Sequence, residues 1–166
     1  MRQRLFFALL LISSSFAWAS DPVIVPEAAS GFSEIKSATF PNAMAVTANP
    51  YASDAAVNIM KQGGSAVDAA IAAQLVLGLV EPQSSGIGGG AFMLHWDKAR
   101  GELQSWDGRE TAPAAATEAY FLTPDGKPMN FFDAVIGGQS VGVPGVVAML
   151  EAAHKAHGAL PWNKLF

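Results

Sequence analysis

Cysteine is absent from the 166 residues, which excludes disulfides, thiolate catalysis and cysteine-based metal sites. Charge is scarce at 14% of residues, and ten Lys+Arg stand against 14 Asp+Glu for a net charge of -4. Nothing resembles the basic stripe of a nucleic-acid binder, and the mild acidity argues against polyanionic partners. No apolar run reaches the roughly 20 residues needed to cross a bilayer. Repeats and low-complexity tracts are missing, and no nucleophile with an activating base can be read. What the chain does have is apolar material, at 51% of residues. That is ample for a core and excludes wholesale disorder, so the chain is one domain or part of a larger one.

The first nineteen residues read as a secretory signal. Arg2 and Arg4 form a positive start, Leu5 to Ile12 is unbroken and apolar, and Ala17-Trp18-Ala19 fits small-x-small cleavage. The serines at 13 to 15 interrupt the run, against a membrane anchor. The expectation is a chain exported to the periplasm or outside, starting at Ser20, with no membrane association after cleavage.

Residues 20–42, with prolines at 22, 26 and 41, read as an extended arm. Met44 to Ala48 reads as a short strand. Asn49-Pro50 starts a helix, since proline suits the first helical position, with Ser53 as a rival cap. Gly63-Gly64 ends that helix. Ser65-Ala66-Val67-Asp68 resembles a capping box and opens a helix to about Val80. That helix is apolar nearly all round and is predicted to lie buried against a sheet. Ala91 to Trp96 and Glu102 to Asp107 read as the strands of a hairpin turning at residues 97–101. A short helix is predicted at Ala114 to Phe121, a short helix or apolar segment at Phe131 to Ile136, and a longer helix from Val146 to His157 that Gly158 stops.

Several motifs fail on context. Gly86 to Ala91 matches a dinucleotide fingerprint on paper, but that fingerprint follows a strand and opens a helix, the reverse of the order here. No Walker-type Lys-Ser/Thr follows either glycine loop. His154 and His157, three apart on a helix, read as a polar, exposed helix end ahead of a zinc site. His95, in a strand, reads as structural.

The chemistry concentrates in two places. Glu81-Pro82-Gln83-Ser84-Ser85-Gly86-Ile87-Gly88-Gly89-Gly90 is a glycine-dense loop, which permits unusual backbone conformations and close approach of other groups. Asp107-Gly108-Arg109-Glu110-Thr111-Ala112-Pro113 follows the hairpin and carries a buried-looking Arg-Glu pair. The guanidinium fork can hold a carboxylate through two parallel hydrogen bonds, so a small acidic substrate fits. A strand-end ion pair or a helix-capping glutamate fits the same residues, and the residues alone leave the choice open.

The run Pro50 to Gly90, including Gln62-Gly63-Gly64-Ser65-Ala66-Val67-Asp68-Ala69-Ala70, resembles the γ-glutamyltranspeptidase (glutathione hydrolase) family. So do Asp107 to Pro113 and Gly138-Gln139-Ser140-Val141-Gly142-Val143-Pro144-Gly145. The resemblance runs from Ala43 to Phe166, with separated motifs in the family's order. It implies an α/β fold, the αββα sandwich of N-terminal nucleophile hydrolases, incomplete in this chain. It implies a precursor that cuts itself into two subunits that stay together. The nucleophile is then the threonine that begins the small subunit, with its own amine as base. Glutathione and other γ-glutamyl compounds are the implied substrates, and water, amino acids or peptides the acceptors. No metal or organic cofactor is implied.

By the same resemblance, Arg109 matches the arginine that binds the α-carboxylate of the γ-glutamyl group, and Glu110, its neighbour, supports it. The glycine loops at 86–90 and 142–145 shape the packing around the site. No catalytic residue is assigned, because the implied threonine lies beyond Phe166. The chain alone is therefore expected to be inactive and poorly soluble. A related amidase or acylase with another acyl group, or a non-catalytic secreted module, are the alternative readings.

Overall fold

The computed structural model describes residues 37–166, and Thr39–Phe166 forms one compact unit. The signal read at residues 1–19 and most of the arm read at 20–42 lie outside the described residues. Four helices and one hairpin follow in order: α1 (Pro50–Lys61), α2 (Ala66–Val80), β1 (Ala91–Asp97), β2 (Glu102–Gly108), α3 (Phe131–Val135) and α4 (Val146–His157). Single 3₁₀ turns occupy Gly138–Ser140 and Trp162–Lys164.

Local chemistry explains the helix ends. Asn49 caps α1, its side chain accepting from the Tyr51 N–H at 3.1 Å, and Pro50 takes the first helical position. Gly63 then adopts φ 92°, a left-handed conformation that glycine reaches without penalty. Ser65 and Asp68 form a full capping box at the start of α2. The strands pair antiparallel, with Met93 opposite Trp106 and His95 opposite Gln104 on the inner face. Asp97 closes their turn by accepting from the Ala99 and Arg100 N–H groups at 2.9 and 3.2 Å.

The core joins α1, α2 and α4 through Ala52, Ala56, Ile71, Val67, Val146 and Leu150. The helix laid on the hairpin is α4; α2 makes its main contacts with α1 and α4. That corrects the expectation of α2 buried against a sheet. Only the N-terminal part of α2 is buried, and Leu79 near its end is 80% exposed. The alanines at 52, 56, 69, 72 and 73 permit close helix approach there, whereas Leu75, Val76 and Leu77 are only partly buried against the core.

Two further predicted elements do not form. Residues 44–48 join no strand among the described residues. The span 114–121 makes successive turns, with the Ala116, Tyr120 and Leu122 N–H groups bonding three residues back, to Pro113, Thr117 and Ala119. Most of these side chains face solvent, so little packing favours a helix here; the shorter α3 starts on a side-chain cap from Asn130, which accepts from the Phe132 N–H at 3.0 Å.

Asp68 is wholly buried. Its Oδ2 accepts the N–H groups of Ser65, Ala159 and Leu160 at 2.8, 2.8 and 3.1 Å. Burial pushes its carboxyl up, but these hydrogen bonds together outweigh burial and hold it below the ordinary aspartate value. Its Oδ1 has His154 Nε2 at 3.5 Å. His154 also bonds the Leu160 carbonyl at 2.9 Å and meets the Trp162 ring edge at 5.2 Å between centroids. His157 stacks on His95, with ring centroids 4.1 Å apart, and pairs with Gln104. The exposed histidine end expected for α4 is thus corrected. Both rings are tucked in, because α4 ends over the hairpin and its following loop folds back onto Asp68.

Candidate active site

Three segments that lie far apart in sequence meet where α4 begins. Gly89 offers its carbonyl to the Gly145 and Val146 N–H groups at 3.0 and 3.2 Å. Thr111 and Val143 exchange backbone bonds of 3.3 and 2.9 Å. Residues 108–111 are therefore held between the loop after α2 and the loop before α4. The first loop is itself tied back: Gln74 Nε2 donates to Ser85 Oγ at 2.9 Å and to the Gly86 carbonyl at 3.3 Å. Its start is fixed by Glu81, which takes bonds from Asn49 and Gln83 at 2.8 Å each. The Asn49 bond, then the Gln83 bond, lower the Glu81 pKa.

The glycines work by close approach. None of Gly86, Gly88, Gly89 and Gly90 has a positive φ. A side chain on Gly86 or Gly88 would meet nothing within 4 Å, whereas one on Gly90 would stand 2.5 Å from Glu110 Oε2. The reading that this loop exploits unusual backbone conformations is corrected accordingly. At Gly145 a side chain would lie 2.5 Å from the Gly108 carbonyl and 2.7 Å from that of Arg109.

Arg109 lines an open cavity of about 530 Å³, together with Glu110, Thr111, Tyr120, Gln139 and Ser140. That volume suits a small-molecule ligand. The Arg109 backbone N–H bonds Asp107 Oδ1 at 2.8 Å, and the side chain is exposed. No ion pair joins Arg109 to Glu110 among the described residues, so the buried-looking pair expected from sequence is two separately placed side chains. Glu110 is half-buried against the glycines and Arg109 is exposed, and both line the cavity. Gln139, whose Nε2 donates to the Tyr120 carbonyl, ties the far wall together. Gln139 lies in one of the motifs that carry the resemblance, but its partnership with Tyr120 is not readable there, since it joins residues 19 apart across a stretch with little regular structure. Among the described residues, no group of three His, Asp or Glu side chains is placed to hold a metal ion.

The helices and hairpin form part of the N-terminal nucleophile hydrolase fold. Its likeness to a Helicobacter pylori γ-glutamyltranspeptidase structure has a TM-score of 0.71 at 34% identity, covering 78% of this chain and 37% of that one. A γ-glutamyltranspeptidase from Pseudomonas nitroreducens, complexed with L-DON, gives a TM-score of 0.69 at 35% identity, covering 76% of this chain and 37% of that one. A family model described as gamma-glutamyltranspeptidase matches residues 52–166. The chain belongs to the γ-glutamyltranspeptidase family. The glutathione hydrolase proenzyme of Bacillus subtilis (strain 168) is 43% identical over 122 residues, covering 74% of this chain and 21% of the relative. The chain thus spans about a fifth of that relative's length.

Proposed function

We propose that this chain supplies the substrate-carboxylate clamp of a glutathione hydrolase, with Arg109 holding the α-carboxylate of a γ-glutamyl group. The observation that carries the reading is an exposed arginine, free of ion pairs among the described residues, that lines a cavity from a backbone locked from two sides. A structural ion pair would have used that charge internally; here it is left for a ligand, and its planar fork matches a carboxylate. The γ-glutamyl group passes to a threonine at a newly made N-terminus, then to water, or to an amino acid or peptide. No residue of this chain is assigned to that step. The precursor processes itself into two associated subunits, and the product is exported to the periplasm or beyond after cleavage between Ala19 and Ser20.

The names of the sequence relatives and structural neighbours support this reading, as does the order of the motifs. The test is to incubate the purified protein carrying this chain with glutathione and follow glutamate release, with and without an acceptor dipeptide. Glutamate, and a γ-glutamyl-peptide when acceptor is present, are expected. Intact mass of the exported material should place its start at Ser20. Absence of both products from protein shown to be processed would contradict the proposal.

A further inference from the structure

We propose that Gly90 and Gly142 are positioning residues for Arg109: their missing side chains seat Glu110, and the seated Glu110 fixes the loop that carries the guanidinium. The inference rests on the carboxylate-clamp reading and deepens it.

A Cβ on Gly90 would stand 2.5 Å from Glu110 Oε2, 2.9 Å from Cδ and 2.9 Å from the backbone nitrogen of the same residue. One on Gly89 would stand 3.1 Å from Oε1. One on Gly142, in the other loop, would stand 2.8 Å from Glu110 Cβ and 3.3 Å from the Thr111 carbonyl. Contacts under 3.0 Å are closer than side chains tolerate, so these neighbours would have to move. Glu110 is therefore gripped at its carboxylate by one loop and at its Cβ by another. Gly145 adds a third hold, directly on the carbonyls of Gly108 and Arg109.

The same loop supplies its own control. Gly86 and Gly88 have open space where a side chain would go, so a glycine-rich sequence here is required only at its end. The requirement coincides with the residue next to the arginine. A backbone so confined cannot shift without moving Glu110 out of its seat. Arg109 contributes through a directional fork, so a displacement of about 1 Å is enough to lose on the order of 100-fold in productive binding.

The experiment compares L-glutamate with its α-amide as ligands of the purified protein, in wild type, Gly90→Ala, Gly142→Ala and Gly88→Ala. The affinity ratio of acid to amide reads the carboxylate clamp alone. Gly90→Ala and Gly142→Ala should each shrink that ratio by roughly 10- to 100-fold, and Gly88→Ala should leave it unchanged. A merely structural role would lower the melting temperature and leave the ratio intact, which would overturn the proposal. Backbone amide resonances of Arg109, Glu110 and Thr111 in the unliganded protein give an independent reading. They should move in Gly90→Ala and Gly142→Ala but not in Gly88→Ala. If they stay in place in the first two, the seating of Glu110 is wrong whether or not glutamate binds. If the wild type itself fails to distinguish acid from amide while those resonances move, the clamp reading fails and the seating stands. The two substitutions press on different atoms of Glu110, so either one carries the test if the other fails to fold.

Discussion

At the scale of single residues, Asp68 and Arg109 are opposite treatments of a charge. Asp68 is wholly buried, and Ser65, Ala159 and Leu160 donate backbone N–H groups to it. Replacing it by Asn can keep one neutral acceptor oxygen for those donors, but it removes the charge they share and buries an amide NH2 at the Oδ1 position, facing His154 Nε2 with no acceptor of its own. Leaving buried groups unpaired costs about 1–3 kcal/mol, so Asp68→Asn should destabilise by about that much near neutral pH. The pH dependence has a definite sign. The folded pKa is lowered, so the stabilisation is complete above the ordinary aspartate value of about 3.9 and is lost as pH falls through the lowered folded value. The gap between wild type and Asp68→Asn in thermal unfolding should therefore narrow in that acid range. A gap that is constant with pH would show that the carboxylate charge is not what matters. The Ser65–Asp68 capping box is legible in sequence because its partners lie within one turn. The reach to Ala159 is not, because it joins residues 91 apart. Arg109 enters the proposal by resemblance, while the absence of an ion pair between it and Glu110 was not legible, since adjacency in sequence reads as pairing in space.

At the scale of elements, caps and glycine stops placed α1, α2, the hairpin and α4 close to where they lie. Asn49-Pro50, Ser65, residues 97–101 and Gly158 are local signals, and local hydrogen bonds answer to them. The predicted helix at 114–121 failed because propensity there meets no packing partner. The stacking order of α2, α4 and the hairpin was hidden because an apolar helix face does not name what covers it. The hairpin shows the same limit on its outer face. Phe92, Leu94, Trp96 and Leu103 are 60–70% exposed and lie on one side of the two strands. A contiguous apolar face of this kind promotes association. Residues 20–166 on their own are expected to self-associate, and Leu94→Lys should shift size-exclusion profiles toward the monomer. A monodisperse chain with that face intact would contradict the expectation.

At the scale of the whole molecule, the framework of helices and hairpin brings three segments to the start of α4. Two of them hold the third, and the third carries Arg109. The charge at the cavity forms no ion pair among the described residues: the Glu110 side chain rests against glycines without pairing with it, and Asp107 accepts from the backbone. The measurement that tests this most directly is the calorimetric affinity of the purified protein for glutathione in wild type, Arg109→Lys and Arg109→Ala. A charge-assisted contact contributes about 1.5–3 kcal/mol, so Arg109→Ala should weaken binding by roughly 10- to 150-fold. Arg109→Lys should recover only part of that loss, because an ammonium keeps the charge without the fork. Equal affinity in all three proteins, with their folds intact, would contradict the account.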